Sequence, residues 1–332
     1  MAATLAEKSP RTWSSRLSFL HTKRALAALS LLVTVAIILI ALAATHTIGS
    51  SSSSTSKQAE SNNSTNSSSS TDSGQANSTT SQTSGEYAGS IADGTPLRVM
   101  CLGASIVKGE TSPGTVGFRK VLRDDLVGFG VPVNMVGSVR LGDMIDNDLE
   151  AYGGNLITQI HDHATHIVPE ALPNVFVINV GTNNILQNID IDKTGEQMED
   201  FIDYLLETSP RSFVIMSTLL TNNVSGGALE PNVLDINGQY RSLMTRFENS
   251  GKPVVLAEMH PSEGGGDEVP QLADIGPDGS HPLVSGYEKM GHIFSQAVKT
   301  ADSKGMIQIA TDNGYPDDGE AERSSTKRLR HR

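Results

Sequence analysis

The chain has 332 residues and a formal net charge of −12 at pH 7. Acidic residues outnumber basic ones between positions 96 and 304, and this negative field disfavours phosphate backbones, so we expect no nucleic-acid partner. The single cysteine, Cys101, excludes an intramolecular disulfide, and its place in an apolar run predicts a core residue.

An uncharged apolar stretch at residues 25–47 has the length of a membrane-spanning helix. Five basic residues precede it, whereas the next charged residue after it is Lys57. This bias predicts a cytosolic tail at residues 1–24 and a single-pass type II membrane protein whose remaining chain is extracellular or lumenal. The alternative is a signal peptide cleaved after Ala43-Ala44, which would release the protein.

Residues 48–95 consist mainly of Ser, Thr and Asn, and such a segment buries too little apolar surface to fold. We therefore expect a disordered stalk. Four asparagines in it begin the acceptor pattern for N-glycosylation, which predicts a glycoprotein: Asn62, Asn63, Asn66 and Asn77. Residues 312–332 are also polar, and we expect a disordered tail there.

Between these segments, residues 96–311 alternate short apolar runs with helical patterns and are long enough for one domain. The predicted strands are Leu97–Leu102, Val131–Val136, Val175–Val180, Phe213–Thr218 and Val254–Ala257. The predicted helices are Val116–Phe129, Leu156–Ile167, Gly195–Leu206, Val233–Asn249 and Val284–Thr300. Continuously apolar strands are buried on both faces, so the pattern predicts a parallel five-stranded sheet with helices on each side.

Polar motifs follow several of these strands, at the sheet edge where ligands bind in such folds. Ser105 lies in a Gly-Ala-Ser turn after the first strand and is a candidate nucleophile. A serine hydroxyl needs a neutral imidazole to take its proton, and that imidazole needs an acceptor on its other nitrogen. His281 in Asp278-Gly279-Ser280-His281 is the candidate base, because Asp278 can fold back to orient it.

A second His-Pro pair, His260-Pro261, follows the last predicted strand and is the alternative base. Its nearest carboxylate, Glu258, lies only two residues earlier on the strand, and no loop carboxylate precedes it. We therefore prefer His281. The histidines of the second helix do not share one face and lack a completing carboxylate or cysteine, so we expect solvated residues and no metal site: His161, His163 and His166.

Two further residues have the chemistry of an oxyanion hole. Asn183 in Gly-Thr-Asn-Asn follows the third strand, and its amide can donate to a developing negative oxygen. Gly154, after Glu-Ala-Tyr-Gly, can bring a backbone N–H to the same place. The plain alternative for both is an ordinary turn.

These motifs, in this order and spacing, resemble the four blocks of the SGNH hydrolases, also called GDSL esterases. The blocks are carried by Ser105 in GASI, Gly154 in EAYGG, Asn183 in GTNN and His281 in DGSHP. The segments VGSVRLGDMIDNDLEAYGG, ILQNIDID and LDINGQYRSLM are similar to the carbohydrate esterase family 3 group, whose characterised members are acetylxylan esterases.

The resemblance implies a three-layer flavodoxin-like fold and an esterase without a metal or other cofactor. It assigns Ser105 as nucleophile, His281 as base and Asp278 as the third triad member. The Ser105 amide, Gly154 and Asn183 would form the oxyanion hole. The implied substrate is an acetylated polysaccharide or other small ester, and we expect a monomer.

Two positions depart from the family pattern: Ala104 replaces the usual Asp, and Asn184 replaces the last Asp of GTND. Neither removes a reacting group, so activity should survive. Within the family the alternative is a lipid-acyl esterase or lysophospholipase. From another class, an inactive sugar-binding module on a stalk would also fit the sequence.

Overall fold

A computed structural model describes residues 90–317. The predicted cytosolic tail, the predicted membrane span at residues 25–47 and the glycosylation acceptors all lie outside the described residues. Within residues 90–317, no helix is both long enough and apolar enough to span a bilayer.

In the described part of the chain, seven strands form one mostly parallel sheet. They are β1 Leu97–Gly103, β2 Val133–Met135, β3 Val139–Arg140, β4 Asp148–Ala151, β5 Val175–Asn179, β6 Phe213–Ser217 and β7 Val254–Ala257. The five long apolar runs supply β2, β1, β5, β6 and β7, all parallel and in that spatial order. This is the flavodoxin-like order of a doubly wound sheet.

The prediction of five parallel strands was wrong in number. The short strand β4 continues the edge of β1 beyond β2, where Leu102 pairs with Glu150 and Gly103 with Ala151. β3 then pairs antiparallel with β4, and the Arg140 guanidinium lies 2.8 Å from the Asp148 carboxylate across that pair. Both strands are short and charged, so no apolar run in the sequence marks them.

Seven α-helices connect and cover the strands within residues 90–317. They are α1 Ser105–Lys108, α2 Arg119–Gly128, α3 Ile157–Ala171, α4 Thr182–Gln187, α5 Thr194–Thr208, α6 Glu230–Ser250 and α7 Val284–Ser303. The short helices α1 and α4 were not predicted, and they follow directly on β1 and β5.

Alternate residues of each central strand enter different cores, as the period of two requires. In β1, Val99 and Cys101 join the core beneath α2 and α7. Met100 and Leu102 join the core beneath α3, α5 and α6 on the other face. Both faces of the strand are therefore buried, and burial raises the pKa of Cys101 to about 12.

Residues just outside the predicted domain of residues 96–311 contact it. Ile91 is buried in the core, and its N–H donates to the Phe129 carbonyl at 3.2 Å. After the C-terminal end of the predicted domain, the Asn313 side-chain amide donates to the Glu170 carbonyl at 2.6 Å. The residues at 90–95 and 312–317 thus pack on the fold, although the sequence assigned them to the stalk and the tail.

Candidate functional site

The site begins where β1 ends. Gly103 lies so close to β5 that a Cβ there would be 2.2 Å from the Asn179 carbonyl oxygen and 2.4 Å from Val107. Only a glycine fits this approach. The chain then turns directly into α1, whose first residue is Ser105, so the hydroxyl stands at the carboxyl edge of the sheet.

The buried Arg119 side chain hydrogen-bonds to helix α1. The Arg119 side chain is fully buried, and its guanidinium donates to the Val107 carbonyl at 3.0 Å. It also reaches the carbonyls of Thr115 at 2.8 Å and Leu141 at 2.9 Å. Burial lowers the pKa of Arg119 from its ordinary value. Sequence reasoning missed this residue, because its partners come together only in the folded chain.

The candidate base and its carboxylate form a compact loop. His281 Nδ1 lies 2.7 Å from Asp278 Oδ2. The other carboxylate oxygen, Oδ1, accepts backbone N–H bonds from Ser280 and His281, each at 2.9 Å. This geometry places Nδ1–H on the acceptor and leaves Nε2 as the nitrogen that can take a proton. Nε2 is buried, and it has no hydrogen-bond partner in the part of the chain that the structure describes.

The environment of Asp278 keeps it ionised. Burial raises the pKa of the carboxyl group, but the backbone amides of Ser280 and His281 and the imidazole favour the charged form. The net result is a pKa below its ordinary value. Such a carboxylate can hold one tautomer of His281 and stabilise the imidazolium when it forms.

The base loop lies against the segment that follows α1. The Glu110 N–H donates to the Ser105 carbonyl at 3.0 Å, and Glu110 Oε2 lies 3.9 Å from His281 Nε2. The Thr111 hydroxyl donates to the Pro282 carbonyl at 3.1 Å. The segments that carry Ser105 and His281, far apart in sequence, therefore meet across Glu110 and Thr111. Neither residue was predicted from the sequence to lie near the site. The only feature that could have indicated it is a carboxylate, Glu110, close in sequence to the candidate nucleophile Ser105.

The predicted oxyanion residues adjoin the same point. A Cβ at Gly153 would be 4.0 Å from the Ser105 Cβ, so the Gly153-Gly154 turn lies beside the nucleophile. Gly154 has φ +79°, a backbone conformation that favours glycine. The Tyr152 N–H donates to the Gly103 carbonyl at 3.0 Å and extends the β1–β4 pairing up to this turn.

Asn183 closes the other side of the pocket. One of its amide hydrogens donates to the Asn155 carbonyl at 3.0 Å, and an amide group has a second hydrogen to offer. Asn183 and Ser105 line one small cavity of about 190 Å³, part of it open to solvent. Its lining residues are Ala104, Ser105, Ile106, Asn179, Val180, Gly181, Thr182 and Asn183.

The two departures from the family pattern sit in well-packed places. Ala104 is buried, and its carbonyl accepts the Lys108 N–H at 3.0 Å. Asn184 is completely buried, and its amide donates to the Ile189 carbonyl at 3.1 Å. Its side-chain oxygen also lies 3.4 Å from the Ile157 N–H at the start of α3. Asn184 therefore ties α4 to α3.

The alternative base has a different environment. His260 Nε2 lies 2.8 Å from Glu230 Oε1, and Nδ1 lies 2.9 Å from Ser262 Oγ. Both ring nitrogens are thus engaged. Glu258 does not orient His260 through its ring; it makes a two-pronged pair with Arg241, with both N–O distances at 2.9 Å.

The helix α3 histidines are not all solvated, and that expectation was wrong for two of them. His161 packs between the rings of Phe201 and Tyr204, and burial lowers its pKa. His163 stacks on Tyr152 with ring centroids 3.6 Å apart. Among the described residues, no group of three or more His, Cys, Asp or Glu side chains is placed to hold a metal ion.

Comparison with known proteins adds independent support. The model of the GDSL-like lipase/acylhydrolase family matches residues 99–294, more than half of the chain. A curated relative, a multidomain esterase from Ruminococcus flavefaciens, is 25% identical over 233 residues, or 61% of this chain. The match covers only 28% of that larger protein.

Solved structures share the fold. A Clostridium thermocellum family 3 carbohydrate esterase superposes with a TM-score of 0.54 at 22% identity, covering 63% of this chain and 98% of that one. A family 3 carbohydrate esterase from Talaromyces cellulolyticus gives 0.53 at 17% identity, with coverages of 63% and 99%. The resemblance to SGNH hydrolases is thereby confirmed. The chain belongs to the GDSL-like lipase/acylhydrolase family, a family of carboxylic ester hydrolases.

Proposed function

We propose that this domain is a serine esterase that releases acetyl groups from extracellular carbohydrate through an acyl-enzyme. The observation that carries the proposal is the geometry of His281. Its Nδ1 lies 2.7 Å from Asp278, and no residue within 90–317 hydrogen-bonds to its buried Nε2. The loop that carries it meets the segment that follows the Ser105 turn. An imidazole held in this way can act as a base, because no other hydrogen bond occupies the Nε2 atom that must accept the proton.

In the first half of the reaction, Ser105 Oγ attacks the ester carbonyl carbon and His281 Nε2 takes the hydroxyl proton. The carbonyl oxygen becomes an oxyanion, which the Ser105 and Gly154 N–H groups and the Asn183 amide stabilise. When the tetrahedral intermediate collapses, the C–O bond to the alcohol breaks. His281 then gives its proton to the departing alcohol oxygen, which leaves an acyl-serine.

In the second half, a water molecule replaces the alcohol. His281 Nε2 takes a proton from the water as its oxygen attacks the acyl-serine, and the same oxyanion donors act again. Collapse of this intermediate returns the proton to Ser105 Oγ and releases the carboxylic acid. Asp278 stays ionised throughout and stabilises the imidazolium in both steps.

The acetyl preference is supported by the space beside the nucleophile. The cavity shared by Ser105 and Asn183 is small, about 190 Å³ even with its solvent-open part included. A short acyl group fits such a space better than a fatty chain. Carbohydrate as the alcohol is supported by the fold that this chain shares with family 3 carbohydrate esterases. The extracellular position rests on the sequence of residues 25–47.

The test compares acetate and octanoate release from matched aryl esters, together with a panel of acetylated polysaccharides and triacylglycerol. We expect acetyl esters to be cleaved at least about tenfold faster in kcat/KM, a difference of about 1.4 kcal/mol. Ser105→Ala should abolish release. Faster octanoate release would favour a lipid-acyl esterase, and a wild-type domain that cleaves no ester would favour an inactive sugar-binding module.

A further inference from the structure

Glu110 is built into the site more firmly than an ordinary loop residue. Its N–H donates to the Ser105 carbonyl at 3.0 Å, and its carbonyl accepts the Tyr287 hydroxyl at 2.7 Å. Tyr287 is buried in the core beneath α7. The backbone of Glu110 is therefore fixed on both sides, once by the nucleophile's own helix and once by the core.

The next residue carries backbone strain. Thr111 has φ +72°, a left-handed conformation that is costly for a β-branched side chain, on the order of 1–3 kcal/mol. Its hydroxyl nevertheless donates to the Pro282 carbonyl, the residue after the base. Strain that the surrounding structure maintains in this way is found preferentially at functional sites. Here the strained residue links the Glu110 segment to the loop that carries His281.

The carboxylate of Glu110 lies between the base and the oxyanion turn. Oε2 lies 3.9 Å from His281 Nε2, and Oε1 lies 3.2 Å from Lys108 Nζ. A Cβ at Gly153 would be only 2.7 Å from Oε1, so the glycine leaves the room that this carboxylate occupies. The Glu110 side chain is 37% exposed and can therefore be reached by a substrate.

This position borders the alcohol half of the substrate. During catalysis His281 Nε2 hydrogen-bonds the alcohol oxygen that leaves, over roughly 2.6–3.2 Å. A carboxylate oxygen beside Nε2 then adjoins the carbon atoms next to that oxygen. In a sugar, the neighbouring carbon usually carries a hydroxyl group, and a carboxylate accepts such a hydrogen bond strongly.

Resting on the proposed function, we infer that Glu110 is a specificity residue that recognises a free hydroxyl group vicinal to the acetylated oxygen. A site that accepts a substrate O–H binds the analogue without that group less well, because the hydrogen bond from the hydroxyl to the carboxylate is lost. The enzyme therefore prefers monoacetylated diols to esters whose neighbouring oxygen is blocked. The negative charge also disfavours an acidic group at that carbon.

The experiment uses two substrates that differ in one group. One is a methyl xyloside monoacetate with a free vicinal hydroxyl, and the other is the same monoacetate with that hydroxyl O-methylated. The readout is the ratio of their kcat/KM values in the full-length protein. A change that impairs the catalytic action of Ser105 or His281 lowers both kcat/KM values by the same factor, so it does not alter their ratio.

We expect the wild type to prefer the free hydroxyl by about tenfold, and Glu110→Ala to reduce that preference to less than about twofold. Glu110→Gln keeps an oxygen acceptor without the charge. Because charge-assisted bonds are roughly twice as strong as neutral ones, it should retain about threefold preference. Glu196→Gln, which neutralises an exposed carboxylate on α5, is the matched control and should keep the wild-type ratio.

Each other outcome overturns the inference. If the wild type cleaves both monoacetates equally, or if Glu110→Ala and Glu110→Gln keep the wild-type ratio, Glu110 does not read the vicinal hydroxyl and the proposed esterase function still stands. If the wild type cleaves neither monoacetate yet releases acetate from aryl esters, carbohydrate as the alcohol is wrong. If it releases no acetate from any ester, the proposed function itself has failed.

Discussion

Two His-Pro pairs at the same edge of the sheet differ in what their rings contact. In the first pair, both nitrogens of His260 are engaged, by Glu230 and by Ser262, and the side chain is 4% exposed. In the second, Asp278 holds Nδ1 of His281, whereas Nε2 has no hydrogen-bond partner among the described residues and lies 3.9 Å from Glu110 Oε2. Both pairs share the His-Pro motif, so it is the unengaged nitrogen of His281 that makes this residue the better candidate for the base.

The largest expected effect comes from exchanging each histidine for glutamine. His281→Gln removes the proton acceptor and should lower kcat for an aryl acetate by about 10³-fold or more. His260→Gln disturbs a structural bond to Glu230 and should keep most of the turnover while lowering the free energy of unfolding by about 1–3 kcal/mol. Steady-state kinetics and urea unfolding on both variants check this. A folded His260 variant with the larger loss of kcat would reverse the assignment.

The carboxylates of the two loops offer the second contrast. Asp278→Asn presents the wrong hydrogen-bonding group to Nδ1, and we expect a loss of about 10²–10⁴-fold in kcat. Glu258→Gln weakens the pair with Arg241, which lies away from the reacting atoms, so turnover should stay within a few-fold. The aryl acetate assay on the two purified variants measures both effects. Equal losses would show that Asp278 has no special role.

Features of the fold and the site that depend on residues close in sequence were predicted, whereas those that depend on distant residues were not. Asp278 and His281 are three residues apart, so their pairing was legible from the chain alone. All five predicted strands match the observed bounds to within two residues at each end, because fully buried parallel strands read as apolar runs. β7, for instance, has the predicted bounds.

Other features depend on tertiary contacts and left no usable pattern. β3 and β4 are short and polar, and they form only because β1 offers its free edge beyond β2. Glu110 and Arg119 take their places from segments far away in sequence. Helix α3 continues to Ala171, past the predicted end at Ile167, although Pro169 lies inside it. Its last turn is retained by packing of Val168 and Ala171 in the core.

A third prediction concerns the proposed oxyanion hole, whose loss should lower kcat less than loss of the proposed base. Asn183→Ala removes one donor to the developing negative oxygen, and one such donor is worth about 10²–10³-fold in kcat. Because the bond forms in the transition state, KM for the aryl acetate should change little. Circular dichroism checks that the lost bond to Asn155 leaves the fold intact. An unchanged kcat with a raised KM would place Asn183 in substrate binding instead.

The smallest expected effect is a pH dependence of stability that comes from a buried carboxyl group, Asp146, and not from the exposed Asp278. In contrast to Asp278, burial raises the pKa of Asp146 to about 6, although the Met135 N–H and Arg123 favour the charged form. A raised folded pKa favours folding when the group is protonated. Its stabilisation is full below the ordinary pKa of about 3.9 and is lost as the pH rises through about 6.

Asp146→Asn has no such titration. Between pH 4.5 and 7.5 the wild type should therefore lose about 2 kcal/mol of unfolding free energy that the variant keeps. Urea unfolding of both proteins at the two pH values measures this difference, and the remaining carboxyl groups cancel between them. A difference that stays constant, or grows toward acid pH in favour of the variant, would contradict the assignment.

The central claim is that His281 activates Ser105, and covalent labelling tests it most directly. A fluorophosphonate probe should label the wild-type protein, with the adduct mapped by peptide mass spectrometry to Ser105. Labelling should be retained in His260→Gln and fall at least about 10²-fold in rate in His281→Gln. An adduct on another serine, or equal labelling rates in the two histidine variants, would contradict the account.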